Sequence, residues 1–177
     1  MLAYGLVVLL AIVLALLWVV ARQPDTFRVE RSRTIAAPLA AVFAQVNDYR
    51  LWQQWSPWAR LDPLMQVSYE GPATGVGAVQ RWRGNGQVGE GSSTIIESRA
   101  NELVRMQLVF LKPFKANNEA VFTFVPEGEQ VRVSWAMTGP KNLLFKAMHM
   151  VMDVDKMCGQ AFEEGLAALE VQAQRLT

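Results

Sequence analysis

One histidine and one cysteine are all that this 177-residue chain offers to imidazole or thiol chemistry. His149 and Cys158 by themselves cannot build a Cys/His zinc cage or a His-rich metal site. A serine–histidine–acid machine would have to use His149, and no G-x-S-x-G elbow accompanies it. His149 sits in a helical apolar pattern, where a histidine is more often a partly buried helix residue than a base. Its pKa range suits acid–base work, but no partner lies at hydrogen-bonding spacing. Cys158 has no disulfide partner and reads as a small buried hydrophobe. Neither a P-loop nor a G-x-G-x-x-G fingerprint occurs. Gly84, Gly86, Gly89 and Gly91 are spaced like a hairpin bend. The sequence therefore predicts no catalytic residue, no metal and no cofactor.

Aromatic and thioether surface is the chemistry present in quantity. Trp52, Trp55 and Trp58 fall within a few residues. They read either as a plug packing helices onto a sheet or as the apolar rim of a cavity, where aromatics give large contact area. Met148, Met150, Met152 and Met157 pose the same choice between core packing and a lid over an apolar pocket. Trp82, Met106, Phe110, Phe122, Phe124, Trp135 and Met137 are candidates for the inner face of a sheet. Together with Trp55, Trp58, Met148 and Met152 they form the candidate cavity lining. Arg31, Arg33, Arg81, Glu97 and Glu119 lie on predicted strands, where charges face solvent by default. A charge turned into an apolar cavity is costly unless paired and would mark a ligand headgroup or a reaction site.

The elements that must position these residues follow from periodicity. Met1 to Ala21 carries no charged side chain and is long enough to span a bilayer, with Tyr4 and Trp18 near its ends. A cleaved signal peptide is the rival reading. It is disfavoured by the missing basic n-region and by the length of the run. Residues 22–26 form a linker, and Pro24 blocks continuation of the helix. Arg22, Arg28, Arg31 and Arg33 follow the span, which predicts a single-pass inner (cytoplasmic) membrane protein with its soluble domain on the cytoplasmic side.

Residues 27–177 are one domain. Phe27–Ile35 reads as a strand, Pro38 to Val46 as a helix, and a second short helix runs through Trp52. Residues 52–63 read as a packed irregular loop. Six strands follow at about Met65–Glu70, Ala78–Arg83, Val88–Ser98, Leu103–Leu111, Lys115–Pro126 and Gln130–Thr138. After Pro140 one long helix is expected to about residue 175, bent near Gly159. Leu143, Leu144, Met148 and Phe162 belong to its apolar face, and Lys146 and Glu163 to the opposite side. The domain is thus α+β, an antiparallel sheet burying its apolar face against one helix and tending to leave a cavity between them. With 17 basic and 16 acidic residues the chain has no footprint for nucleic acid.

In order and spacing these residues resemble the START-like superfamily, also called the polyketide cyclase/dehydrase and lipid transport superfamily (SRPBCC). The resemblance rests on Ile35-Ala36-Ala37-Pro38 with Val42-Phe43, Trp55-Ser56-Pro57-Trp58, Asp62-Pro63 and Gly71 with Gly75-Val76-Gly77-Ala78. It continues through Trp82 with Gly84, Val133 to Gly139, and Phe162 to Leu169. It implies a helix-grip fold in which the C-terminal helix closes a hydrophobic cavity. Members include lipid and sterol carriers, allergen-type binders, aromatic polyketide cyclases and activators of a heat-shock ATPase, so the fold alone fixes no activity. The expectation is a membrane-anchored, non-catalytic domain binding a hydrophobic small molecule or lipid. A cyclase- or dehydratase-like enzyme and a ligand-free domain docking on a membrane protein are the alternatives.

Overall fold

Strict alternation from Met65 onward becomes six strands, which Thr26–Ile35 from the start of the domain completes as a seven-stranded antiparallel sheet. The computed structural model describes residues 2–151 and 153–175. In chain order the elements are α1 (Leu2–Ala21), β1 (Thr26–Ile35), α2 (Leu39–Asn47), a 3₁₀ turn (Trp52–Gln54) and α3 (Pro57–Leu61). Then come β2 (Gln66–Glu70), β3 (Val79–Arg83), β4 (Glu90–Arg99), β5 (Leu103–Lys112), β6 (Ala116–Glu127), β7 (Gln130–Pro140), α4 (Leu143–Val151) and α5 (Val154–Gln174). The sheet order is β1-β7-β6-β5-β4-β3-β2, so the first strand closes against the last.

Register sorts the sheet into two faces. Val104, Met106, Ala120, Phe122, Phe124, Val131, Val133 and Trp135 are buried on the inner face. The outer face carries ion pairs, with Arg105 between Glu97 and Glu119, and Arg81 on Glu70. The helix α5 lies over the inner face and buries Phe162, Leu166, Leu169 and Ala173, one stripe at helical spacing.

Three details differ from the sequence-based expectation. The segment after α2 turns without a second short helix ending at Trp52, and α3 forms inside the stretch expected to be irregular. Pro57 starts α3, where its fixed φ suits the first helical turn. The long C-terminal helix is broken before Asp153, not bent at Gly159. Asp153 Oδ1 accepts from the Lys156 amide at 2.9 Å and so starts α5 afresh. Gly159 lies inside α5, and its missing Cβ leaves room for the Arg31 guanidinium.

The third difference concerns charge. Arg31 and Arg33 share the inner parity of Val29 and Ile35 and reach toward α5, Arg31 half-buried and Arg33 still exposed. Arg31 donates from Nη2 to Asp155 at 2.8 Å and from Nε to Glu163 at 2.9 Å. Arg33 Nε reaches Glu170 at 2.6 Å. These pairs fasten α5 to the edge strand. The Arg31 guanidinium beside Asp155 holds that carboxyl below the usual range.

Close packing of α5 depends on Gly165, where a Cβ would lie 2.8 Å from the Trp135 ring and 3.1 Å from Pro57. Gly165→Val is expected to destabilise the fold by about 1–3 kcal/mol through overpacking. Urea denaturation measures this, and an unchanged midpoint would contradict the packing described.

Candidate functional site

The inner face alternates large and small side chains, which leaves a hollow. Across the strands, Met106 opposes Ala120, and Ala120 opposes Met137. Two inner rows away, Gly91 lies between Trp82 and Phe110, whose rings meet edge to face at 5.7 Å. The resulting cavity of about 230 Å³ lies between the sheet, the Trp52–Trp58 segment and α5.

Its lining is mostly apolar. Of the predicted residues, Trp58, Trp82, Met106, Phe110, Trp135 and Met137 line it. Trp55, Phe122 and Phe124 are buried in the core and do not line it. Met148 is half-buried on α4 and also absent from the lining, and Met152 lies outside the described residues. Sequence reasoning missed Ser56, Met65, Gln80, Val88, Ser93 and Phe162 as lining residues, and placed Cys158 as a plain core residue. The strand parity of Gln80 with Trp82 was a usable signal. The inward turn of the Ser56 loop had none.

An aromatic stack forms the cavity's wall. Trp135 lies parallel to Phe162 of α5 at 4.3 Å and stacks on Phe122 of β6 at 4.7 Å with a 29° tilt. Trp52, Trp55 and Trp58 meet this stack edge on. Trp52 Nε1 donates to the Val46 carbonyl at 3.0 Å and Trp55 Nε1 to the Gln45 carbonyl at 3.2 Å. Their indoles are thereby fixed to the end of α2; Trp55 is structural, while Trp52 and Trp58 contact both stack and cavity. Behind the wall, Tyr49 OH and Ser93 Oγ share a hydrogen bond of 2.6 Å. Burial pushes the Tyr49 phenol far above its ordinary value.

Among the described residues the lining contains no carboxylate, lysine, arginine or histidine. A second hollow, of about 330 Å³, lies at the β2–β3 edge and takes in Arg81, Arg83 and Glu90. It is a polar surface groove whose charges are already paired, Arg81 with Glu70 and Arg83 with Glu90. Among the described residues no cluster of three or more metal-ligating side chains occurs.

A family model described as polyketide cyclase / dehydrase and lipid transport matches residues 26–174. The chain belongs to this family. Solved structures agree on the fold. A Mesorhizobium loti protein of 14% identity matches with a TM-score of 0.63, covering 85% of this chain and 99% of its own. The Aha1 dimer from Colwellia psychrerythraea, 16% identical, matches at 0.58 over 81% of this chain and 93% of its own. Ara h 8.0201, 12% identical, matches at 0.58 over 85% and 99%. At such identities the likeness establishes the helix-grip architecture alone. No curated protein is significantly similar in sequence. The matched region begins after α1, so the apolar helix is an addition to the family domain.

Cys158, the chain's single cysteine, is half-buried on the cavity wall. Burial, with a smaller contribution from Asp155, pushes its thiol above the ordinary range. Less thiolate is then present at neutral pH, and the thiolate is the reactive form. Maleimide labelling of Cys158 is expected to be slower than that of a free thiol at pH 7.5, and to accelerate as pH rises past 9. A rate at pH 7.5 equal to that of an unstructured peptide would contradict the burial.

Proposed function

We propose that this protein is a membrane-anchored, non-catalytic binding domain whose cavity takes up a small apolar molecule. The observation that carries this reading is an apolar cavity whose described lining has no charged side chain. Burial of apolar surface, at about 25 cal/mol per Å², supplies the affinity. Proton-transfer catalysis needs a positioned acid or base at the reacting atoms, and among the described residues the lining offers no carboxylate, lysine or histidine. At about 230 Å³ the cavity is smaller than sites for drug-sized ligands, which run from about 300 Å³. It suits one or two rings or part of a longer chain, not a whole phospholipid.

Residues 1–21 serve as the anchor, 22–26 as the linker and 27–177 as the binding domain. Tyr4–Ala21 is long and apolar enough to cross a membrane, with its window unburied by the rest of the protein. The Arg22 guanidinium lies over the Trp18 ring at 4.8 Å, a pair suited to the headgroup level. The orientation of α4 supports the same placement. Lys146, expected on the polar side, is 6% exposed, while Leu143 and Leu144 are 62% and 56% exposed. Lys146 Nζ donates to Asp25 Oδ1 at 2.5 Å and to the carbonyl of Ala21, the last residue of α1, at 3.3 Å. This holds Asp25 below the usual carboxylate range and ties α4 to the end of the span. Leu143, Leu144, Met150 and Phe114 are then exposed where the bilayer surface would lie. Phe114 meets Phe145 of α4 at 6.4 Å.

Two outcomes are expected. The full chain stays in the membrane pellet after an alkaline carbonate wash, whereas a chain lacking residues 1–21 is released. Native mass spectrometry of the full chain shows an apolar adduct that Ala120→Phe removes while the fold is retained by circular dichroism. An adduct that persists in folded Ala120→Phe would place the ligand elsewhere.

A further inference from the structure

The cavity holds polar groups that the fold leaves unused. Gln80 is 7% exposed and lies on the inner face of β3, two residues from Trp82. Gln80 lines the cavity, and no hydrogen bond joins its side-chain amide to another described residue. Glutamine carries two donor hydrogens and an acceptor oxygen, and a bound molecule that displaced water without matching them would lose about 1–3 kcal/mol. Ser93 stands directly across from Gln80 in the β3–β4 ladder. Its hydroxyl meets only Tyr49 OH, which leaves part of its hydrogen-bonding capacity open toward the cavity. Facing them from the start of α3, Ser56 is also buried and its side chain makes no capping bond.

Two physical facts then define the occupant. Free amide and hydroxyl groups in an apolar wall reward a ligand carrying one oxygen that accepts or donates a hydrogen bond. The lining has no charged residue to pair with an ion, and burying an unpaired carboxylate or phosphate is prohibitive. We infer that Gln80 and Ser93 form a polar subsite selecting an uncharged apolar ligand with a carbonyl or hydroxyl oxygen, and that ionised lipids such as fatty acid anions are rejected. This rests on the cavity reading above and adds the ligand's chemical class.

The test uses the full chain in lipid nanodiscs and the protection of Cys158 from maleimide. Three probes of one shape are compared: 2-acetylnaphthalene, 2-ethylnaphthalene and 2-naphthoate. Partitioning into lipid cancels when each probe is compared between the original chain and a variant. Gln80→Met is expected to weaken protection by the ketone about 2- to 10-fold, the value of one neutral hydrogen bond. Protection by the hydrocarbon should be unchanged or stronger. In the original chain 2-naphthoate should give no protection at concentrations where the ketone saturates. Because the Gln80 amide has no partner in the fold, Gln80→Met without ligand should melt no lower than the original chain. Equal loss for ketone and hydrocarbon, protection by 2-naphthoate matching that by the ketone, or a large drop in melting temperature would each overturn the subsite. If none of the three probes protects Cys158 in the original chain, the cavity reading itself fails and the subsite with it. Protection by the hydrocarbon, with no ketone difference between the two chains, sinks only the subsite.

Discussion

The structure depends on one stack of three rings, Phe122, Trp135 and Phe162. Phe122 and Trp135 are cross-strand partners on β6 and β7, and Phe162 belongs to α5. The stack is therefore where helix meets sheet. Its rings are stacked, and favourable aromatic pairs contribute about 0.5–1.5 kcal/mol each beyond their area. Trp52 and Trp55 between α2 and α3, with Trp58 of α3, close against its edge, and Gly165 lets α5 approach Trp135 closely enough to complete it. Sheet, loop and helix share this contact, and the hollow beside it persists because the wall is held from three directions.

Charge does a different job at the edges. The inward parity of β1 brings Arg31 and Arg33 to the flank of a helix, where acidic partners on that helix meet them. Asp155, Glu163 and Glu170 supply them. These partly exposed pairs add little stability individually, but they set where α5 rests on β1. Lys146 acts likewise between α4 and the end of α1. The polar face of each C-terminal helix is thus partly spent on internal contacts, and α4 presents leucines outward.

The cavity and the apolar helix make sense together. A molecule that partitions into a bilayer is most concentrated there, and a binding domain held at that surface meets it without crossing water. The small volume and neutral polar wall narrow what such a molecule is, while the family relationship does not, since related folds serve unrelated tasks.

The sequence by itself determined the apolar span, the order of strands and helices, and the family. These depend on local signals: an uncharged run, period-two alternation and motifs in sequence order. Trp82, Met106, Phe110 and Met137 were also legible, because alternation places large apolar residues on a sheet's inner face. Only tertiary structure decided which of them border empty space. Trp55 and Phe122 have the same residue type and parity as lining residues, yet neighbouring rings fill the space around them. Helical periodicity marked Leu143 as inward and Lys146 as outward, but which face of α4 is covered was set by the end of α1, more than a hundred residues away in sequence. Gln80 could have been read from its strand parity with Trp82, but the polar groups at Ser93 and Ser56 were illegible for a related reason. A hydrophilic side chain on a strand or cap reads as solvated, and only the assembled walls show it enclosed.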